Sequence, residues 1–257
     1  MSTYSHKIKT ILFFVLILSQ FATETFAQKD WDDKFTFVRI RYNMGEFGMG
    51  FRFRYGNQNS WQVDYPTAEE NFLLALARGT YLPIEERALS FSLTDERLFD
   101  FPFAYVVEVG YMKINQAEAD FLREWLLRGG FLFIDDFHGA REWANFVEQI
   151  IKVFPNRPIQ KIPIEHPIFH CYYDFEKDFP QVPGLGSILR GTTFEKGGIR
   201  AECKGIFDDH GRLMVLVNHN VDLGDSWEHT GDYNYPRYYS ILGYKLGINY
   251  IVYSLTH

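Results

Sequence analysis

Hydrophobic and polar residues alternate most clearly near the start of the chain, over residues 35–42 (FTFVRIRY). A period of two is typical of a strand with one buried face. Two further stretches, 103–109 (FAYVVEV) and 131–134 (FLFI), are almost entirely apolar. Short apolar runs predict strands covered on both faces, as in a parallel sheet with helices on either side.

Three other segments have the residue spacing of amphipathic helices. Residues 66–79 predict a helix that Thr67 caps, and residues 115–128 and 140–154 predict two more. Strands and helices that alternate in this way imply right-handed crossovers. The sheet is therefore predicted to be mostly parallel and to lie between two helical layers.

The C-terminal half has a different pattern. Residues 199–207 and 212–218 flank a polar turn and predict a β-hairpin. Residues 238–255 begin as a helix, and the β-branched and aromatic residues 248–253 suggest that the segment ends as a strand. Because the chain has no internal repeat and no Ser/Pro-rich linker, residues 28–257 are predicted to form one α/β domain.

The first residues combine a basic start with the short apolar run 11–18 and small residues at 25 and 27. This pattern predicts a secretory signal peptide, residues 1–27, with cleavage after Ala27. An uncleaved membrane anchor is the competing interpretation, but the apolar run falls short of the roughly 20 residues that span a bilayer. No later segment is apolar enough to cross a membrane, so the mature protein is expected to be exported to the periplasm.

Composition narrows the classes of ligand. The formal charge is −7, and removal of residues 1–27, which carry two lysines and one glutamate, makes it −8. Nucleic acids and anionic membranes require clustered Lys and Arg, which the sequence lacks. The glycine-rich segment 45–56 has no Gly-Lys-Ser/Thr ending and predicts a flexible turn with a short strand, not a phosphate loop. Cys171 and Cys203 could form a disulfide after export or remain two thiols.

The apolar strand 131–134 runs directly into Asp135 and Asp136. Ligands of open α/β sheets bind beyond the carboxyl ends of the strands, and buried carboxylates are costly unless they are paired, protonated or bound to a cation. The alternative is that Asp136 caps the next helix and Asp135 accepts backbone N–H groups. Polar residues at other strand ends favour a site, and the predicted acidic pocket comprises Asp64, Glu108, Asp135, Asp136, His166, Asn220, Asp222, Asp225 and Glu228.

Two kinds of chemistry suit such a pocket. Carboxylates with imidazole suit a divalent metal such as Zn, Mn or Mg, although the spacing fits no metal-binding template. A carboxylate pair could instead act as general acid and base in hydrolysis. Neighbouring strand residues point to opposite faces, so Asp136 with Glu108 is a better pair than Asp136 with Asp135. His170 and His219 are interpreted as packing residues.

Five stretches in order carry a family resemblance: DYP (64–66), LREWLLRGGFLFIDDFHG (122–139), HPIF (166–169), NVDLGDSWE (220–228) and LGINYIVYSL (246–255). They resemble a bacterial family of domains of unknown function that also occurs at the C-terminal end of aerotolerance (Bat-type) membrane proteins. The resemblance implies a class I glutamine amidotransferase-like fold, a flavodoxin-like three-layer sandwich. The family's motif positions coincide with all the pocket residues except Glu108, whereas His138 stands where the family often has an aromatic residue.

The resemblance does not imply amidotransferase activity. In a glutaminase, a Cys activated by a His occupies the sharp turn after the strand. Here that turn carries Asp135 and Asp136. The first functional hypothesis is therefore an exported binding or accessory domain of the cell envelope without the nucleophile, whose partner is an envelope protein or a small or polymeric ligand. The alternative is a metal-dependent or double-carboxylate hydrolase that acts on an envelope or exogenous polymer.

Overall fold

A computed structural model of the chain describes residues 34–45 and 59–257. The predicted signal peptide 1–27 and nearly all of the glycine-rich segment 45–56 lie outside these residues. Residues 35–257 belong to one folded unit. Within the described part of the chain, no helix combines the length and the hydropathy needed to cross a membrane.

The main sheet has seven strands, of which the five at one side are mutually parallel. In spatial order these five are β3 (Leu89–Ser92), β1 (Val38–Arg41), β4 (Phe103–Val107), β6 (Phe131–Asp135) and β9 (Leu213–His219). The sheet continues with β8 (Glu202–Phe207), antiparallel to β9, and β7 (Gln160–Lys161), antiparallel to β8. The predicted hairpin is therefore confirmed as β8–β9. A separate antiparallel pair joins β2 (Asn43–Met44) to β5 (Met112–Lys113).

Helices cover both faces of the sheet. One face packs against α1 (Thr67–Gly79), α5 (Leu223–Glu228) and α6 (Arg237–Thr256), and the other against α2 (Gln116–Leu127) and α3 (Gly139–Val153). The short helix α4 (Leu185–Leu189) precedes β8. Four 3₁₀ turns occupy Ser60–Gln62, Glu96–Asp100, Val109–Tyr111 and Pro167–Phe169.

The alternation of side chains along the strands builds a separate core on each face. In β6, Phe131 and Phe133 belong to the core beneath α1 and α6, whereas Leu132 and Ile134 belong to the core beneath α2 and α3. Every residue of this strand is buried, as expected of a central parallel strand. The predicted three-layer α/β fold with a mostly parallel sheet is thus confirmed.

The order of the parallel strands locates the place where a ligand would bind. Numbered along the chain, these strands lie in the order 2-1-3-4-5, which is the flavodoxin-like order. The chain first adds β3 on one side of β1 and then adds β4, β6 and β9 on the other side. The direction of winding therefore reverses between β1 and β4. In doubly wound sheets, the crevice at the carboxyl ends of the strands near this reversal is the usual binding site.

The C-terminal segment is helical throughout, so the predicted change to a strand over 248–253 is wrong. The side chain of Asn249 explains the difference. Its Nδ2 donates to the carbonyls of Ile168 (3.0 Å) and Tyr173 (2.8 Å), and its Oδ1 accepts from the backbone N–H of Tyr173 (2.7 Å). These long-range bonds and the packing of α6 on the sheet outweigh the β propensity of the segment.

Two smaller expectations also differ from the structure. Helix α1 begins at Thr67, and the preceding Pro66 occupies the capping position without a side-chain hydrogen bond, so Thr67 is not the cap. The disulfide alternative is not realised, since Cys171 and Cys203 are both free thiols. The Cys171 thiol donates to the carbonyl of Asn249 (3.2 Å), and Cys203 is buried within strand β8.

Candidate functional site

A cavity of about 720 Å³ opens at the carboxyl edge of the sheet. Asp64 comes from the segment before α1, Glu108 follows β4, and Asp136 follows β6. Helix α5 and its N-terminal flank, which follow β9, contribute Asp222, Asp225 and Glu228. Thus six of the nine predicted pocket residues line one space. Together with Glu195 they make seven carboxylates, against the two permanent cations Arg190 and Lys196 and one imidazole, His229.

The backbone around the cavity adopts an uncommon conformation. Among the described residues, the non-glycine positions with positive φ are Asp64, Glu108, Asp136, Lys196 and Asn220. Four of them line the cavity, and Asn220 is two residues before Asp222, which also lines it. Left-handed conformations of this kind cost of order 1–3 kcal/mol each and concentrate at functional sites, where the surrounding structure enforces them. The left-handed turns end the strands abruptly and place the side chains at the rim of the sheet.

One half of the cavity, the Lys196 half, is a compact ion-pair network. It comprises Glu108 and Lys196, which line the cavity with the neighbouring Asp136, and Glu142, which contacts Lys196 from outside the lining. The Lys196 ammonium lies 2.9 Å from Glu108 Oε2 and 2.9 Å from Glu142 Oε1. Burial alone would lower the pKa of Lys196, but these carboxylates and Asp136 outweigh that effect and raise the pKa well above its usual value. Lys196 is therefore a permanent counter-charge for this half of the cavity.

The backbone fixes the geometry of the Lys196 half. The backbone N–H of Glu108 donates to the carbonyl of Asp136 (3.0 Å), which holds the ends of β4 and β6 together. Across the cavity, the carbonyl of Lys196 packs against Gly139, the first residue of α3. A Cβ atom at Gly139 would lie only 2.2 Å from that carbonyl oxygen, and Gly139 also has a positive φ of 69°. Glycine is thus required at this point of close backbone approach.

The other half of the cavity, the Asp64 half, comprises Asp64, Asp222 and Asp225. Each offers one carboxylate oxygen, and these three oxygens all lie within 4.8 Å of one another. Asp222 Oδ1 accepts the backbone N–H of Asp225 (2.8 Å), and Asp225 Oδ2 accepts that of Leu185 (2.6 Å). No Lys or Arg of the described residues forms an ion pair with any of the three. Among the described residues, the only basic side chain in contact with them is His229, with Nε2 3.5 Å from Asp225 Oδ1.

The pKa values within the Asp64 half diverge. Burial raises the pKa of Asp64 and of Asp222 well above the usual value, and the neighbouring carboxylates, including Asp225 and Asp136, raise it further. Burial also acts to raise the pKa of Asp225, but hydrogen bonds and charge attraction from His229 and the N–H of Leu185 lower it on balance. Asp225 is therefore the carboxylate that most readily keeps its negative charge.

A buried arginine positions Asp64. Arg39, at the centre of β1, is fully buried, and its Nε donates to Glu69 Oε1 of helix α1 (2.6 Å). Its Nη1 donates to the carbonyls of Trp61 (3.3 Å) and Val63 (3.4 Å), and its guanidinium lies 4.7 Å from the centre of the Tyr105 ring. Arg39 therefore ties the segment that carries Asp64 to the sheet.

Asp135 and Asn220 lie beneath the cavity and not on its surface. Asp135 Oδ2 accepts the backbone N–H of Leu223 (2.8 Å) and the hydroxyl of Tyr105 (3.0 Å), and burial raises its pKa to about 7. Asn220 Oδ1 accepts the N–H of Gly139 (2.8 Å). The alternative interpretation, that Asp135 accepts backbone N–H groups, is thus observed. Its second part, that Asp136 caps the next helix, is wrong, because the capping position of α3 belongs to His138.

His166 lies elsewhere, so its expected place in the pocket is wrong. Its side chain accepts the backbone N–H of Ile168 (3.3 Å), and its ring packs near Phe207 and Tyr253. Tyr253 in turn contacts Phe131, the first residue of β6, so His166 is near the amino ends of the parallel strands. A His-Pro pair that starts a 3₁₀ turn explains the motif without a ligand.

Several residues of the site carry no signal in the sequence. Lys196, Glu195 and Arg190 come from the loop and short helix before β8, where no apolar pattern marks a strand end. His138, which the resemblance left aside, is buried with Nε2 3.1 Å from Asp136 Oδ1. Burial lowers the pKa of His138 to about 4, so its imidazole is neutral at physiological pH.

Comparison with known proteins identifies the family of the chain. A search of curated proteins finds no match. A family model described as "domain of unknown function (DUF4159)" matches residues 36–255, which include the whole sheet and every residue that lines the cavity. The chain therefore belongs to the DUF4159 family of domains of unknown function.

Proposed function

We propose that the protein is an exported binding or accessory domain of the cell envelope whose cavity takes a positively charged ligand. One observation carries the proposal: seven carboxylates from separate parts of the chain line one cavity together with only two permanent cations. Buried carboxylates are costly to hold together unless a cation compensates them. A positively charged ligand would supply the missing compensation.

The scaffold supports binding more than acyl transfer. The proposed amidotransferase-like relationship places a nucleophilic thiol at the turn after a central strand. That turn carries Asp135 and Asp136 after β6, and the free thiols of Cys171 and Cys203 line no part of the cavity. Export to the envelope rests on the signal-like pattern of residues 1–27.

The test is a binding assay on the purified protein with cations of different chemistry. Calcium, manganese, spermidine and an oligolysine peptide are titrated by calorimetry at low ionic strength, with inorganic phosphate as the anionic control. At least one cation should bind, and Asp225→Asn should weaken its binding by about tenfold or more. His166→Gln is the matched control and should bind like the wild type. Binding of phosphate alone, or of nothing, contradicts the proposal.

A hydrolase is the second candidate, and the divergence of pKa values favours it. Within one cavity, the pKa of Asp222 is raised and that of Asp225 is lowered, as expected of a general acid and a general base. Fluorogenic polysaccharide and peptide substrates test this candidate. Hydrolysis that is lost in both Asp222→Asn and Asp225→Asn but kept in His166→Gln would support it, whereas equal residual activity in all variants would exclude it.

A further inference from the structure

The two halves of the cavity differ in charge compensation. In the Lys196 half, the ammonium contacts Glu108 and Glu142 directly. In the Asp64 half, only Asp225 contacts an imidazole, that of His229, and Asp64 and Asp222 have no ion pair with a described residue. The uncompensated charge of the cavity is thus concentrated at Asp64, Asp222 and Asp225.

One carboxylate oxygen of the Asp64 half has no partner among the described residues. Asp64 Oδ2 is buried and accepts no hydrogen bond from a described residue. Asp222, only 5% exposed, also lines the cavity, and its Oδ1 accepts the backbone N–H of Asp225 (2.8 Å). A buried oxygen such as Asp64 Oδ2 is expensive unless water or an ion satisfies it.

Two glycines keep the space around these oxygens clear. A Cβ atom at Gly184 would lie 2.6 Å from Asp222 Oδ2 and 2.9 Å from Asp225 Oδ2. A Cβ atom at Gly224 would lie 2.3 Å from Asp64 Oδ2. Gly184 does not have a positive φ, so its backbone alone does not require glycine. The requirement at Gly184 is for space beside the carboxylates.

We infer that the ligand of the cavity is a hard divalent metal ion of the calcium class, held by Asp64, Asp222 and Asp225. The inference rests on the proposed function and names its ligand. Calcium binds carboxylate oxygens at roughly 2.3–2.6 Å, so oxygens on opposite sides of the ion lie about 5 Å apart, and magnesium requires a tighter shell. Three protein carboxylates with oxygens within 4.8 Å of one another suit calcium, which takes roughly six to eight oxygen ligands, better than magnesium, which usually keeps several waters and only one or two carboxylates.

Other cations fit this half less well. An organic ammonium group is usually recognised by several aromatic faces, and Tyr65 is the only aromatic residue among those described that lines the cavity. The neighbouring trio of Asp225, Glu228 and His229 offers a nitrogen ligand. However, His229 Nε2 already lies 3.5 Å from Asp225 Oδ1 and 3.5 Å from Glu228 Oε2, so the imidazole occupies this trio itself.

The test is calorimetric titration of the purified, chelator-treated protein with calcium, magnesium, manganese and zinc, and separately with spermidine. One calcium ion should bind per chain and raise the melting temperature. Asp64→Asn and Gly184→Ala should each weaken calcium binding by about tenfold or more. The matched control is Asp100→Asn, which removes the same charge from an exposed residue at the amino end of β4 and should bind calcium like the wild type.

The outcomes separate this inference from the proposed function. If spermidine binds and no divalent ion does, the cavity is a cation site but the metal assignment is wrong. If no cation binds, both are wrong. If calcium binds equally well to Asp64→Asn, Gly184→Ala and the wild type, the ion lies elsewhere and the inference is also overturned. Circular dichroism without calcium confirms that the variants are folded, and the two variants act by different means, loss of a ligand and loss of space.

Discussion

The two halves of the cavity contain the same type of side chain but balance their charges differently. In the Lys196 half, one ammonium group bridges Glu108 and Glu142, and the network is complete within the protein. In the Asp64 half, carboxylate oxygens approach one another within 4.8 Å, and the imidazole of His229 is the only basic group in contact within the described part of the chain. The first half resembles a structural ion-pair network, whereas the carboxylates of the second half form no ion pair with a described Lys or Arg.

This difference shows that an acidic cluster should be interpreted through its counter-charges. Glu108 and Asp222 are both about nine-tenths buried or more, and burial raises the pKa of both. Lys196 opposes that effect at Glu108, whereas the further influences on Asp222 come from other acids. Replacing an acid should therefore stabilise the protein more in the Asp64 half than in the Lys196 half.

The largest expected effect concerns pH and Asp135, which lies beneath the Asp64 half. Its pKa is raised to about 7 in the folded protein, so protonation favours the folded state. The free energy of unfolding should thus fall as pH rises from about 4 to about 7, by at most about 4 kcal/mol from this group. Asp135→Asn should flatten that fall, as measured by urea unfolding at several pH values. An unchanged pH profile would show that Asp135 is not protonated in the folded state.

The next largest effect tests how much the Lys196 ammonium stabilises the two carboxylates that it contacts. Lys196→Met leaves Glu108 and Glu142 without their shared cation, and removal of one partner of a partly buried pair should lower the free energy of unfolding by about 2–3 kcal/mol. Lys113→Met is the matched control, because the Lys113–Glu148 pair is exposed on both sides and should change stability by less than about 0.5 kcal/mol. Equal effects of the two substitutions would contradict the comparison.

The smallest effect tests the Asp64 half. Asp222→Asn removes one of the crowded charges, while the amide oxygen still accepts the N–H of Asp225. At about pH 8 in the presence of a chelator, we expect a gain of about 1 kcal/mol in the free energy of unfolding. Glu108→Gln, the corresponding change in the Lys196 half, should give a smaller gain or none, because it also removes an ion-pair partner of Lys196. Equal changes in the free energy of unfolding would remove the distinction between the halves.

Much of the fold could be predicted because the strands are short apolar runs with polar residues at their ends. The run over 131–134 identifies β6 and brings Asp135 and Asp136 to the edge of the sheet, as the structure shows. The period-two pattern also locates β1, although the strand is shorter than the pattern, with bounds Val38–Arg41. Local patterns thus contain most of the information about which acids lie at the rim.

Contacts between distant residues could not be predicted in the same way. Lys196 contacts Glu108 across 88 positions of sequence, and no local pattern marks such a pairing. Asn249 makes 248–253 helical through bonds to a loop more than 70 residues away. His166 was misplaced for a related reason, because a His-Pro pair that begins a 3₁₀ turn looks like a ligand motif when its neighbours are unknown.

The close packing of Gly139 against the Lys196 carbonyl has an evolutionary consequence. Any side chain at Gly139 would displace the loop that carries Lys196, and the ammonium group of Lys196 would move with that loop. Substitutions at these two positions should therefore be inherited together across the family. Members that have lost the glycine should also have lost the lysine, and with it the electrical asymmetry between the two sides of the crevice.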